Sequence, residues 1–160
     1  MEIVGGREAG ADGDQPLPAP AYHDEEATMI YPMFALVLLT FFVGIRLGSC
    51  RFANARSGRV DGRYYRLMRG DTPPDGELKL ARNFSNLFEA PVLFYVFGAI
   101  VIAKNLTAPL PLALAWSYVA LRAVHTAIHL GRNHPVHRFL AFLASCIVLL
   151  AMWGWLALVL

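Results

Sequence analysis

Four apolar stretches, each close to the length of a membrane-spanning helix, constrain this chain more than any other feature. They run over residues 29–50, 84–103, 110–130 and 139–160. Each is near the roughly 20 residues that a helix needs to cross a bilayer. Such stretches form helices in lipid, because every backbone polar group there needs an internal partner. They are too long and too uniform for the alternating strands of a membrane β-barrel. The sequence therefore predicts an all-α, integral membrane four-helix bundle.

The composition supports this prediction. Hydrophobic residues make up 56% of the 160 residues and charged residues 16%, whereas a soluble domain is about 25% charged. These values exclude a soluble globular protein, a disordered chain and a free nucleic-acid binder. The two cysteines, Cys50 and Cys146, exclude a disulfide framework and form no CxxC pair.

Charge divides the chain into two parts. Residues 1–28 hold seven acidic residues and one basic residue, and they are rich in Gly, Pro and Ala. This segment has no apolar period and cannot bury enough surface to fold, so we predict a disordered acidic tail. Residues 29–160, the predicted membrane domain, carry thirteen basic and five acidic residues.

The basic residues also predict the orientation in the membrane. The connection between the first two stretches, 46–82, holds nine basic residues, and the last connection adds Arg132 and Arg138. Lys104 is alone in the middle connection. By the positive-inside rule, the first and last connections are cytoplasmic and both termini lie on the other side. Arg51 to Arg69 is either a solvated run of orienting charges or a surface that contacts anionic lipid head groups.

Polar residues on the second stretch fall on one helical face. Arg82, Asn86 and Glu89 are spaced at i, i+4 and i+7. A charge inside a membrane helix costs on the order of 3 kcal/mol, so it usually faces a cavity or a partner. This set is either a structural ion pair between helices or part of a binding site.

The third stretch has a similar polar face. Arg122, His125 and His129 are spaced at i, i+3 and i+7. The two histidines form an HxxxH pair, a spacing that can hold zinc or haem, but no third ligand is near them in the sequence. Hydrogen bonds between helices and a ligand-binding wall are the other interpretations, and we predict no metal.

Two further arginines lie near the same end of the predicted bundle. Arg46 ends the uncharged part of the first stretch, and Arg138 begins the fourth. Each alone is typical of a side chain that extends to the head groups. Together, the four stretches place polar groups at one cytoplasmic end. This convergence predicts a shared cavity for a small anionic ligand that also carries an amine.

These residues resemble the family of membrane-associated proteins in eicosanoid and glutathione metabolism, called MAPEG. The similar segments are RNFSNLFEAPVLFY at 82–95 and RAVHTAIHLGRNHPVHRF at 122–139, and the resemblance covers 29–160. It implies a homotrimer of four-helix bundles that binds glutathione between neighbouring subunits. It also implies a function as a membrane-bound, glutathione-dependent transferase or peroxidase that conjugates lipophilic electrophiles.

The resemblance implies a role for eight residues. Arg138 corresponds to the catalytic arginine that stabilises the glutathione thiolate. Seven others correspond to glutathione-binding positions: Arg46, Arg82, Asn86, Glu89, Arg122, His125 and His129.

Three positions depart from the pattern of better-known members. His129 stands in place of a tyrosine, and Phe139 and Phe142 replace a serine and a tyrosine of the prostaglandin E synthases. The two phenylalanines argue against prostaglandin synthesis. Two other functions stay open: a non-catalytic member of this fold that binds a lipid or another anion, and a metal- or haem-binding membrane protein that uses His125 and His129.

The orientation can be tested directly. A reporter that is active only in the cytoplasm should be inactive when fused after Leu160, because the basic residues hold the other end of the bundle inside. The same reporter inserted after Gly62 should be active. Strong activity from the Leu160 fusion would reverse the assigned orientation.

Overall fold

The structure is a computed structural model that describes residues 26–70, 72–106 and 108–160. It contains four long helices and one short helix: α1 Glu26–Arg56, α2 Tyr64–Leu67, α3 Asp75–Ala103, α4 Pro109–Leu130 and α5 Pro135–Val159. The described ranges contain no strand, which confirms the all-α class. Residues 1–25 of the predicted acidic tail (1–28) lie outside the described residues, and α1 begins at Glu26.

Three of these helices are long and apolar enough to cross a membrane. They are α1 from Met29 onward, α3 and α5. The chain is therefore an integral membrane protein. In α4 the apolar sequence is interrupted by Arg122, His125 and His129. A fourth crossing by α4 stays a prediction.

The long helices pack around one apolar core. α1 lies against α3 and α4, α4 lies against α5, and α3 contacts both α4 and α5. Leu36 and Val43 of α1 and Phe94 and Phe97 of α3 are fully buried there. The Phe94 ring also stacks on the Tyr118 ring of α4, with centroids 4.8 Å apart. These contacts join α1, α3 and α4 in the apolar half of the bundle.

Two glycines allow α1 and α3 to approach closely. A Cβ atom added to Gly44 of α1 would lie 2.9 Å from the Phe84 ring. One added to Gly98 of α3 would lie 2.5 Å from the Met33 sulfur. Small residues at such contacts are typical of membrane helices, where packing is a main source of association. The two glycines therefore allow close approach at two separate points of this contact.

A buried carboxylate fixes the connection between α1 and α3. The Glu77 side chain is 2% exposed, and its Oε2 accepts hydrogen bonds from Asn54 Nδ2 and Tyr65 OH, both at 2.8 Å. Arg51 Nε lies 3.5 Å from Glu77 Oε1. Asn54 and Arg51 belong to α1, Tyr65 to α2 and Glu77 to α3. One side chain thus joins three helices, and the sequence reasoning did not identify it.

Tyr65 reports on this cluster through its pKa. Partial burial and the hydrogen bond to the Glu77 carboxylate raise the pKa of Tyr65 from 10.0 to about 12. A raised folded-state pKa means that the unfolded chain loses this proton first as the pH rises. Tyr65 therefore contributes stability below about pH 10 and loses that contribution between about pH 10 and 12.

Replacing Glu77 by Ala should destabilise the protein by about 1–3 kcal/mol, because Asn54 and Tyr65 would lose their acceptor in a buried site. The pKa of Tyr65 should also fall back toward 10.0. Unfolding in detergent measures the first effect. The second is read from the tyrosinate absorbance after subtraction of a Tyr65→Phe spectrum.

Asp75→Ala is the matched control for this change. It also removes an acid from the first turn of α3, but Asp75 is exposed and forms no ion pair with the described residues. It should leave the pKa of Tyr65 unchanged. An equal loss of stability in both variants would contradict the role of Glu77.

Candidate functional site

An open pocket of about 300 Å³ lies at one end of the bundle, between α3, α4 and α5. Its walls come from all three helices: Arg82, Asn86, His125, His129, Arg138, Phe139 and Phe142. These residues fall near the N-terminal ends of α3 and α5 and the C-terminal end of α4. Because the lining contains two arginines and no carboxylate, the pocket favours an anionic ligand.

Arg122 lies behind the pocket wall and is 0% exposed. Its Nη2 donates to the backbone oxygen of Asn86 at 2.7 Å and to the Asn86 Oδ1 at 2.6 Å. Its Nε and Nη1 have no hydrogen-bond partner. A buried charge is costly unless it is paired and fully hydrogen-bonded. Among the described residues, Arg122 is thus a buried cation with hydrogen-bond partners for only one of its three nitrogens.

Asn86 connects this buried cation to the pocket. Its side chain lines the pocket and its two oxygens hold Arg122. On the other side, the Arg122 guanidinium carbon lies 5.8 Å from the centre of the Phe142 ring, which also lines the pocket. Cations are attracted to aromatic faces at such distances. Asn86 and Phe142 therefore each contact Arg122 and also line the pocket.

His125 is held in one ring orientation. Its Nδ1 lies 3.1 Å from the backbone oxygen of Arg138, and a carbonyl oxygen can only accept a hydrogen bond. The neutral ring therefore carries its proton on Nδ1 and leaves Nε2 as an acceptor. His125 Nε2 is buried and has no partner. It is available to accept a hydrogen bond from a ligand N–H, O–H or S–H group.

His129 lies one helical turn further, with its ring centre 5.8 Å from that of His125. Its Nδ1 is buried and also lacks a partner. Within the described part of the chain, no three His, Cys, Asp or Glu side chains converge to hold a metal ion.

Arg138 is positioned by the turn before α5. Its Nη1 donates to Asn133 Oδ1 at 2.9 Å, and its backbone N–H donates to the His134 oxygen at 3.1 Å. Asn133 has a backbone φ of 52°, a left-handed conformation that asparagine tolerates better than most residues. This contact fixes part of the guanidinium and leaves the half-buried side chain at the pocket.

The structure brings together five of the eight residues that the sequence singled out: Arg82, Asn86, His125, His129 and Arg138. Arg122 supports this set from behind. Arg46 and Glu89 are exposed on α1 and α3 and do not line the pocket of one chain. The binding and catalytic roles of all eight stay predictions.

The sequence patterns did not identify three polar residues near the pocket: Asn83, Thr126 and Asn133. Asn83 is fully buried and its Oδ1 accepts a hydrogen bond from Thr126 Oγ1 at 3.5 Å, which links α3 to α4. Asn133 holds Arg138, as described above. Asn83 is four residues before the buried Leu87 and so lies on the same inner face of α3. A polar residue on an otherwise apolar face is a sequence signal that could have identified it.

With this geometry established, the comparisons with known proteins give the family. The MAPEG family model matches residues 29–158. The chain therefore belongs to the MAPEG family, as its sequence motifs predicted. Members of this family are generally associated with glutathione. A search of curated proteins found no match, and a search of solved structures found none either.

Replacing Arg122 by Met should separate stability from binding. Methionine removes a buried charge with incomplete partners, so the ligand-free protein should unfold at the same or a higher temperature. Glutathione should bind about tenfold more weakly, because the variant removes the charged hydrogen bonds that hold Asn86 in the pocket wall, a loss of about 1.5 kcal/mol. Thermal unfolding with and without glutathione measures both effects.

Arg132→Met is the control, since Arg132 is exposed on the connection between α4 and α5 and does not line the pocket. It should change neither quantity. A large loss of stability in ligand-free Arg122→Met would show that Arg122 is mainly a structural residue.

Proposed function

We propose that this protein is a membrane-bound, glutathione-dependent transferase or peroxidase that acts on lipophilic electrophiles. The observation that carries the proposal is the composition of the pocket wall. It combines Arg82 and Arg138 with acceptors on His125 and Asn86 and has no carboxylate. Glutathione has two carboxylates and a thiol that suit these cations and acceptors, and its ammonium group would meet Glu89 at the contact with a neighbouring copy.

Arg138 is the residue that we assign to the thiol. A cation within about 4–6 Å of a thiol favours the ionised, nucleophilic form. The Asn133 contact holds one nitrogen of the Arg138 fork, and the others stay available for a ligand. In a conjugation, the thiolate sulfur forms a bond to the electrophilic carbon. The leaving group departs with the bonding electrons, and the thiol proton passes to solvent.

The apolar side of the pocket supports a lipophilic second substrate. Phe139 and Phe142 line it, and Phe139 and Leu140 are exposed at the start of α5. A molecule dissolved in the bilayer can therefore reach the polar groups without crossing a charged surface. This arrangement is consistent with an electrophile that arrives from the lipid.

We assign the protein to a homotrimer with sites completed across the subunit contacts. Glu89 and Arg46 are exposed, and neither forms an ion pair with the described residues. Charges on membrane helices need a partner, which a neighbouring copy or a ligand at the contact can supply. In this arrangement four helices of each chain span the membrane, with the pocket at the cytoplasmic end.

The role of Arg138 predicts a contrast between two variants. Arg138→Ala should keep much of the glutathione binding but lose most of the ultraviolet thiolate band and of the conjugation rate. Arg138→Lys should restore the band only in part, because it keeps the charge without the planar fork. Glu89→Gln should instead weaken binding, since the ligand ammonium loses its counter-charge.

Difference spectra and equilibrium binding on detergent-purified protein measure this contrast. If the wild type binds no glutathione, or binds it with no thiolate band, the transferase proposal is wrong. Saturable binding of an anionic lipid in its place would favour the non-catalytic alternative.

The assembly is tested separately. Native mass spectrometry in detergent should give three copies of the 17.7 kDa chain. Glu89→Gln should loosen the trimer or its ligand binding, whereas Asp75→Asn, an exposed change at the start of the same helix, should affect neither. A monomer that binds glutathione as tightly as the reconstituted protein would contradict a site between subunits.

A further inference from the structure

A second charged surface lies away from the pocket, on the connection between α1 and α3. Residues 56–70 present five exposed arginines and only one acid, Asp61. We name the five the basic collar: Arg56, Arg59, Arg63, Arg66 and Arg69. Among the residues that the structure describes, none of the five takes part in an ion pair. The collar therefore has a strong positive charge that no described side chain neutralises.

The collar is folded in place. Val60, between Arg59 and Arg63, is buried, and the Tyr65 hydroxyl donates to Glu77. Asp61 caps a turn by accepting hydrogen bonds from the Arg63 and Tyr64 backbone N–H groups at 2.8 and 2.9 Å. An orienting charge run needs only its charge and no fixed structure. A connection held this way instead presents its arginines in a defined arrangement.

Large apolar side chains accompany the arginines at the surface. Phe52 is 70% exposed, Leu67 is 73% exposed, and Met68 is exposed as well. Leu67 follows Arg66 directly, and Met68 precedes Arg69. Exposed apolar residues beside basic ones are typical of segments that insert into the boundary between head groups and acyl chains. Exposure of these apolar side chains to water costs free energy, and contact with lipid removes that cost.

The length of α1 places the collar within reach of the head groups. Its uncharged part ends before Arg46, and Arg56 lies ten residues, or about 15 Å, further along the helix. The head-group layer extends roughly 5–8 Å beyond the hydrocarbon. Surface charge acts over a further ~8–10 Å at physiological ionic strength. Phe52, about 9 Å beyond Arg46, lies at the outer edge of the head groups.

We infer that the basic collar binds the phosphates of anionic phospholipids in the leaflet that surrounds the cytoplasmic end of the bundle. The arginines pair with the phosphates, for which their planar forks are suited, while the exposed side chains of Phe52, Leu67 and Met68 contact the head-group region beside them. The Glu77 cluster holds the collar in this position. This surface uses none of the pocket residues and does not depend on the proposed enzymatic function.

The experiment uses the full chain in nanodiscs of phosphatidylcholine alone or mixed with phosphatidylglycerol. Hydrogen exchange over residues 56–70 reports contact with the lipid, and spin-labelled lipids report preference for one head group. The wild type should show slower exchange and a clear preference in the mixed discs. Both should weaken at high salt, since screening reduces charge interactions.

Three variants identify the collar as the cause. The combined R59Q, R63Q and R66Q variant should lose roughly a hundredfold of the preference, at about fivefold for each of the three basic residues near the surface. The matching R59K, R63K and R66K variant keeps the charge and should retain most of it. Arg132→Gln removes an exposed arginine elsewhere at the same end and should change little.

Equal preference in the wild type and the triple glutamine variant would overturn the inference, as would equal exchange of residues 56–70 in the two kinds of disc. Tighter protection by a soluble oligonucleotide than by phosphatidylglycerol would also overturn it and indicate a nucleic-acid partner. Unchanged exchange around Glu77 shows that the triple variant is folded. If that variant does not fold, the inference is tested by whether lipid preference and exchange of the wild type depend on phosphatidylglycerol and on salt.

Discussion

The Arg122 guanidinium is a fully buried cation inside an apolar helix bundle, and it contacts two of the residues that line the candidate site. Two of its hydrogen bonds go to oxygens of Asn86, which fixes the distance and rotation between α3 and α4 at that level. The Phe142 ring of α5 lies against it on another side. One side chain of α4 thus positions a residue from each of the two other helices that form the pocket.

Arg122 does not line the pocket, but its positive charge still acts there. A buried cation is poorly screened, because water is excluded around it. Its field therefore extends through Asn86 and Phe142 into the pocket, where it adds to those of Arg82 and Arg138. The half-buried Arg138 is free to contact a ligand directly, whereas Arg122 acts through the residues that it holds.

Glu77 is a second buried charge at the same end of the bundle, and unlike Arg122 it has partners from three other side chains. There a buried anion receives two neutral donors and lies near Arg51, so its charge is met within the chain. Burial of a satisfied carboxylate stabilises one geometry of the connection, while the incompletely satisfied guanidinium adds positive charge beside the candidate site. The two buried charges explain why one region is structural and the other is a candidate binding site.

Helical periodicity made part of this site predictable. Arg82 and Asn86, four residues apart, and His125 and His129, also four apart, lie on common faces and line the same pocket. The same spacing argument placed Glu89 with Asn86. However, Glu89 is seven residues beyond Arg82, so it lies on the same exposed face of α3 but about 10 Å further along the helix. It therefore does not line the pocket.

The contacts of Glu77 could not be predicted in the same way. Its partners Asn54 and Tyr65 are 23 and 12 residues away, on either side of a connection whose path depends on how α1 and α3 pack. Periodicity describes one helix at a time and gives no information about such pairs. The Asn133 contact to Arg138 is local, but it depends on a left-handed backbone at Asn133 that the sequence pattern does not specify.

In the proposed trimer, ligand binding and assembly are linked. Arg82 of α3, Arg122 of α4 and Arg138 of α5 lie in or beside the pocket, and no carboxylate lines it, so all three would attract an anion. Arg46 of α1 and Glu89 of α3 are left on the outer surface, where a neighbouring copy can meet them. If the neighbour completes the site, a bound anion stabilises the contact between copies. By thermodynamic reciprocity, that contact must strengthen anion binding by the same factor.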